Sequence, residues 1–205
     1  TKPETQYALH SGMSVYIASQ EAYNNFKYDD SWNSAELKPE GWELKKLEAM
    51  CADSLTTLEF DYFDGELGVV GIRTTAATVT IPDSVTRIGS SAFSGCKGLL
   101  RVVLPKSITT IEVASFYQCS SLTTLTIPQG VTTIRSNAFA ACTGLTGLCL
   151  PDSLTKIENW AFASCSNLTR ITVPASVTSM GESIFRECSG LTIRGYADST
   201  AQRYA

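Results

Sequence analysis

Seven cysteines, one histidine and a few closely spaced acids are the side chains of this 205-residue chain that could carry chemistry. Five of the cysteines, Cys96, Cys119, Cys142, Cys165 and Cys188, recur at a fixed interval of 23 residues. Such a series raises disulfide bridging and metal coordination. If each cysteine stands on one rung of a stack, successive rungs lie about 4.8 Å apart, within the Cα separation a disulfide spans. Direction argues against a bridge, because equivalent side chains on stacked rungs point in parallel, whereas a disulfide needs its Cβ atoms turned toward each other. The five are therefore predicted to be free, buried thiols packed as small hydrophobes. There is no C-x-x-C pair and His10 is the only histidine, so zinc is disfavoured too. Cys149 falls out of register between Leu148 and Leu150 and is predicted to face outward and react first with thiol reagents. Cys51 is expected to pack on a helix near the front of the chain.

The remaining chemistry is sparse. Catalysis needs an acid, base, nucleophile or metal converging on a pocket, and His10 has no recognisable serine or cysteine partner motif. Asp61, Asp64 and Glu66 lack the ligand order of a calcium loop, and the Asp64-Gly65 pair between apolar runs reads as a tight hairpin turn. The chain is accordingly read as non-enzymatic, with no catalytic residue, metal or cofactor.

The elements that position these residues are five consecutive copies of one 23-residue unit, over 81–103, 104–126, 127–149, 150–172 and 173–195. Prolines (Pro82, Pro105, Pro128, Pro151, Pro174) and phenylalanines (Phe93, Phe116, Phe139, Phe162, Phe185) recur with the cysteines. A fixed period in this range indicates a stacked solenoid. Within 127–149 the apolar set is Ile127, Val131, Ile134, Phe139, Cys142, Leu145 and Leu148. Burying each yields roughly 1.5 to 3 kcal/mol, while ordering each backbone residue costs roughly 1 to 2 kcal/mol, so one rung cannot stand alone. The run LTTLTI alternates as a strand, each proline ends a strand at a corner, VTTI is a second extended piece, and SNAF suits a turn or a single helical turn. Gly98, Gly144, Gly190 and Asn167 share one position and are expected to adopt positive φ, with Ser121 breaking the set.

The front of the chain differs in charge. Residues 1–66 hold thirteen acids against five lysines, whereas residues 67–205 hold eleven Lys and Arg against seven acids. This supports two modules. They are an acidic N-terminal cap over 1–66 that ends in a divergent rung and hairpin, and a repeat array over 67–205 with a C-terminal cap at 196–205. Ser14 to Ile17 reads as a strand, and Ser19 as the N-cap of a helix through EAYNNF. Leu44, Leu47 and Cys51 are spaced for an amphipathic helix. LTTLEF, 55–60, repeats the pattern of LTTLTI and suggests the divergent rung. Tyr7, Tyr16, Tyr23, Phe26, Tyr28, Trp32 and Trp42 read either as the core of a small cap or as an aromatic platform for a ligand.

With 43% hydrophobic and 18% charged residues, wholesale disorder is excluded, and no apolar run approaches the ~18 residues of a membrane span. The opening TKPETQYALH lacks a basic head and apolar core, so no signal peptide is expected within it. The basic residues of the repeats form no cluster, which argues against nucleic acid as a partner. Oligomeric state is left open.

The pattern L-x-x-L-x-I-P, S-V-T-x-I, A-F and C-x-x-L resembles the BspA-like leucine-rich repeats, the Treponema pallidum type. The tail LTIRGYADSTAQRYA is similar to that family's closing cap. The resemblance implies an α+β repeat solenoid: a curved, right-handed array of 23-residue rungs, a parallel β-sheet on its concave face, short turns or helical turns opposite, and here an N-terminal α/β cap. It also implies a secreted or cell-surface bacterial protein, or a protist relative, that binds host protein, matrix or other cells.

Two columns flank the inward residue of each strand. One is Thr78, Arg101, Thr124, Gly147 and Arg170; the other is Thr80, Val103, Thr126, Cys149 and Thr172. From these, Thr78, Arg101, Val103, Thr124, Thr126, Cys149, Arg170 and Thr172 are the candidate binding residues, forming a shallow polar groove for an extended protein or glycan ligand. Thr is also simply a good strand residue, so the column has a structural reading as well. A third column, Glu112, Arg135 and Glu158, is predicted to align the stack through opposite charges. The leading function is an extracellular binding or adhesion module. The alternative makes the repeats a spacer or assembly element, with activity in the front module or in flanking domains; a small hydrolase ranks last.

Overall fold

The computed structural model describes residues 5–9, 13–17, 47–50, 56–63, 66–81, 83 and 85–204, with side chains described at 58, 59, 68–81, 83 and 85–204. Five front strands, β1 (Thr5–Leu9), β2 (Met13–Ile17), β3 (Leu47–Met50), β4 (Thr56–Phe63) and β5 (Glu66–Thr74), pair antiparallel in sequence order. The expected strand at 14–17 is part of β2. Phe63 stands opposite Glu66, so β4 and β5 form the hairpin expected around Asp64-Gly65, although those two residues lie outside the described set.

Two expectations for this region are corrected. Leu47–Met50 is a strand rather than part of a helix, because its backbone is paired on both sides, with β2 and β4, and those ladders outweigh a three-residue apolar period. The segment resembling LTTLTI does not take a rung position. Its described residues, 56–60, lie within antiparallel β4, and β5 instead docks on the array by pairing parallel with the first rung, Gly68 with Arg87 and Val69 with Ile88. The helix expected from Ser19, Cys51, His10 and the rings of Tyr23, Phe26, Tyr28, Trp32 and Trp42 lie outside the described residues; so do the side chains of Tyr7 and Tyr16.

Each rung then repeats one path. There are three-residue strands at β6 (Thr78–Thr80), β8 (Arg101–Val103), β10 (Thr124–Thr126), β12 (Gly147–Cys149), β14 (Arg170–Thr172) and β16 (Thr192–Arg194), and β8, β10, β12 and β14 each lead within two residues to a proline corner. Pro105, Pro128, Pro151 and Pro174 are buried at these corners; Pro82 lies outside the described residues. Two-residue strands, β7 (Arg87–Ile88), β9 (Thr110–Ile111), β11 (Thr133–Ile134), β13 (Lys156–Ile157) and β15 (Ser179–Met180), follow and extend the front sheet into ten strands. The opposite side is made of successive turns, not helices. A short helix, α1 (Thr200–Tyr204), ends the described chain.

All seven apolar positions predicted for 127–149 are buried. Through the core, Phe93, Phe116, Phe139, Phe162 and Phe185 stack with ring centroids 4.9 to 5.8 Å apart. Tyr204 closes the stack edge-on at 5.9 Å, and its hydroxyl accepts a 2.7 Å bond from the Ile184 amide.

Positive φ does not fall where the glycines suggested. It falls at Ser91, Ala114, Asn137, Trp160 and Ser183, and four residues later at Gly95, Gln118, Ala141, Ser164 and Glu187. The cause is a third ladder on the turn side. Phe93, Phe116, Phe139 and Phe162 amides, and those of the left-handed residues around them, donate to carbonyls of the following rung at 2.7 to 3.1 Å, while the intervening amides close turns within their own rung. From Ser91 to Ser164, satisfying every second amide across rungs holds non-glycine residues in a region they otherwise avoid; Ser183 and Glu187 in the last rung keep the same conformation without such bonds among the described residues. Gly144 has a different reason to be glycine. A Cβ there would come within 2.8 to 2.9 Å of the backbone at Ser120, Ser121 and Leu122 on the rung before.

Candidate ligand-binding strand face

Strand alternation decides which side chains reach solvent. In β8 the Val102 side chain enters the core and Arg101 and Val103 point out. Parallel pairing sets Thr78, Arg101 and Thr124 side by side, and likewise Thr80, Val103 and Thr126. All six are exposed. In the second half, Gly147 pairs with Arg170 and Cys149 with Thr172. Arg170 and Cys149 are exposed and Thr172 is partly so. The structure therefore brings the eight candidate residues together as two groups, on two three-stranded sheets rather than one. The division lies between β10 and β12, where Leu125 is only partly buried while Val79, Val102, Leu148 and Ile171 are buried.

Sequence reasoning missed the last rung of these columns. Thr192 pairs with Arg170 and Arg194 with Thr172, and both are exposed. The interval from Arg170 to Thr192 is one residue shorter than the repeat, since LTRIT is answered by LTIR, so extrapolating the period lands on Ile193. A comparison of the strand patterns alone could have found the deletion.

Hydrogen bonding separates these columns from five threonines of the neighbouring columns. Thr123 and Thr169 hydroxyls donate to Leu100 and Thr146 carbonyls one rung earlier at 3.3 and 3.0 Å. Thr132, Thr155 and Thr178 form a similar hydroxyl ladder, donating to Thr109, Thr132 and Thr155. Among the described residues, no such bond engages the hydroxyls of Thr78, Thr80, Thr124, Thr126, Thr172 or Thr192, and no ion pair engages Arg101, Arg170 or Arg194. Their polar groups face solvent with capacity to spare.

The charged column is half as predicted. Arg135 pairs with Glu112 at 3.1 Å, but Glu158 turns to Lys156 at 2.8 Å and accepts from the Ser136 amide and hydroxyl at 3.2 Å. Those contacts, led by Lys156, hold the Glu158 carboxyl below its ordinary range.

The repeat cysteines are free thiols, with Cys119, Cys142 and Cys165 buried and Cys96 and Cys188 partly so. They do more than pack. The thiols of Cys119, Cys142, Cys165 and Cys188 donate to the carbonyls of Phe93, Phe116, Phe139 and Phe162 on the rung before, at 3.0 to 3.2 Å. Burial pushes Cys96 up to about 11 and Cys165 up to about 12. Cys142 is raised by the adjacent Cys119 sulfur and by burial. The Cys142 and Cys165 sulfurs are held as neutral donors. Cys149 is exposed, as its register implies. Among the described residues, no group of three or more His, Cys, Asp or Glu could hold a metal ion. A cavity of about 620 Å³ lies between the end of β5 with the segment that follows it (Ile72 to Ala76) and the first turn (Ser94 to Leu99), with Arg73, Cys96 and Lys97 at its wall.

The profile of the BspA type leucine rich repeat region matches six copies across residues 73–192. The chain belongs to the BspA-type leucine-rich repeat family. Repeat arrays of this family are typically non-enzymatic scaffolds. A leucine rich cell surface protein from Faecalibacterium prausnitzii is 30% identical and superposes with a TM-score of 0.66, over 71% of this chain and 39% of that one. The leucine rich repeat protein of T. pallidum is 29% identical, with a TM-score of 0.65 over 66% of this chain and 67% of that one. A leucine-rich repeat protein from Bacteroides ovatus is 29% identical, with a TM-score of 0.62 over 70% of this chain and 40% of that one. The chain thus spans about two fifths of two of these relatives. No curated protein matches it. No helix among the described residues is long and apolar enough to cross a membrane.

Proposed function

We propose that this BspA-type array is a non-enzymatic binding or adhesion module, displayed outside the cell, that holds a protein or glycan along its strand face. One observation carries the reading: the outward hydroxyl and guanidinium groups of Thr78, Arg101, Thr124, Thr126, Arg170 and Thr172 make no bond within the described protein and stand together on paired strands, whereas Thr123, Thr132, Thr155, Thr169 and Thr178 of the neighbouring columns donate to the rung before. Val103 and Cys149 add exposed, less polar contacts between them. Contacts this shallow are individually weak and gain affinity by summing along the array. The cell-surface description of the F. prausnitzii protein supports the location. In this reading residues 1–66 cap the array.

The test is a binding screen of immobilised matrix proteins and glycans against the wild-type chain and an R101E/R170E variant. Weakened binding with an unchanged melting temperature is expected. Unchanged affinity for a partner found in the screen would remove the strand face from the site and favour the spacer reading.

A further inference from the structure

The strand face has a charge character that the chain as a whole does not. The protein is net acidic, at −4, yet the two outward columns from Thr78 to Arg194 contain no acid and three arginines. Arg101 stands on β8, Arg170 on β14 and Arg194 on β16, all exposed and all without an ion pair among the described residues. Elsewhere on the rungs Arg135 is paired with Glu112, Lys156 with Glu158 and Arg186 with Glu187, and Lys97 and Lys106, without an ion pair among the described residues, stand on turns rather than on the strand face. The guanidinium of Arg170 lies beside Gly147, 3.6 Å from where a Cβ would be, next to the division between β10 and β12.

Spacing and composition define what would fit. Arg101 and Arg170 are three rungs apart across the division between β10 and β12, and Arg194 is one rung further in the adjacent column. Between them lie unengaged hydroxyls at Thr124, Thr126 and Thr172. A folded protein partner normally needs aromatic or apolar anchors seated in pockets, and these columns offer no aromatic and one exposed aliphatic, Val103. Separated cations that recognise sulfate or carboxylate in bidentate fashion, with hydroxyls to exchange hydrogen bonds between them, suit a linear ligand with repeated negative charge and many hydroxyls. Resting on the strand-face reading above, we infer that the ligand is a linear anionic polysaccharide lying along the stacking axis, with Arg101, Arg170 and Arg194 as its charge anchors.

The experiment measures affinity of the intact chain for heparin, polygalacturonate, neutral dextran and poly-glutamate by biolayer interferometry at low and moderate salt. Binding to heparin or polygalacturonate that weakens with salt, with dextran silent and poly-glutamate weaker, is the expected result. An R101Q/R170Q/R194Q variant should lose about tenfold in affinity, while R186Q, which removes an exposed arginine of the turn side, should lose none. Equal loss in both variants overturns the inference, because the attraction would then be diffuse. Poly-glutamate binding as tightly as the glycans would replace the polysaccharide by an acidic peptide on the same face. If no polyanion binds but R101E/R170E still weakens a matrix partner, the anionic inference fails and the strand-face reading stands; if neither occurs, both fail.

Discussion

Ser115→Ala should stabilise this protein. Ser115 is fully buried on the turn side, and its hydroxyl has no hydrogen-bond partner. The corresponding residues of three other rungs, Ala92, Ala138 and Ala161, are alanines buried in the same place. The main chain would be untouched, since the Ser115 amide donates to Glu112 and its carbonyl accepts from Phe93 at 2.8 Å, bonds that alanine also makes. An unsatisfied buried hydroxyl costs about 1 to 3 kcal/mol. Deleting the oxygen forfeits several contacts worth roughly 0.1 to 0.2 kcal/mol each. The net gain is about 1 to 2 kcal/mol, or a rise in Tm of roughly 2 to 8 °C for a chain of this length. The reciprocal change, Ala138→Ser, should cost a similar amount. Urea and thermal unfolding followed by circular dichroism would measure both. A Ser115→Ala protein with unchanged or lowered stability would refute the reasoning, because the hydroxyl would then have to be satisfied.

The raised thiols make alkaline stability a readout of the cysteine ladder. A group whose folded pKa is raised contributes its stability below its unfolded value and loses it as pH climbs through the folded value. Urea midpoints should therefore hold below about pH 9, the ordinary thiol value, and fall toward pH 12, with a shallower fall in Cys165→Ala; an unchanged pH profile in that variant would count against the buried donors. At Gln118, exposed with φ at 58°, glycine should gain about 0.5 to 1 kcal/mol as left-handed strain exceeds its entropy cost; chemical denaturation giving no gain over Gln118→Ala would contradict the turn-side account. Gly144→Ala, whose Cβ would press on backbone rather than on a flexible side chain, should cost about 1 to 3 kcal/mol in the same assay.

The core was legible because burial follows side-chain type: Ile127 through Leu148 are apolar at each position the period marks, and each is buried. The outward columns were legible for the same reason, strand alternation around Val79, Val102 and Leu148. What escaped is set by backbone geometry that residue type does not report. Ala114, Ala141 and Trp160 carry no sign of left-handed φ, because it is the amide ladder to the next rung that holds them there. A cysteine looks like a small hydrophobe until its sulfur is found 3.0 Å from the Phe93 or Phe116 carbonyl. Leu44, Leu47 and Cys51 imitate a helix over a run too short to decide, and strand pairing of Leu47–Met50 on both edges decides it. Arg194, the third unpaired arginine, was concealed by a single deleted residue.

The claim that ligand lies on the strand face is tested most directly at Cys149, an exposed thiol already standing in one of the columns. The alkylation rate of Cys149 would be followed by peptide mass spectrometry, with and without a saturating partner from the binding screen. Ligand on the strand face should slow it several-fold or more, whereas an unchanged rate at full occupancy would place the ligand elsewhere.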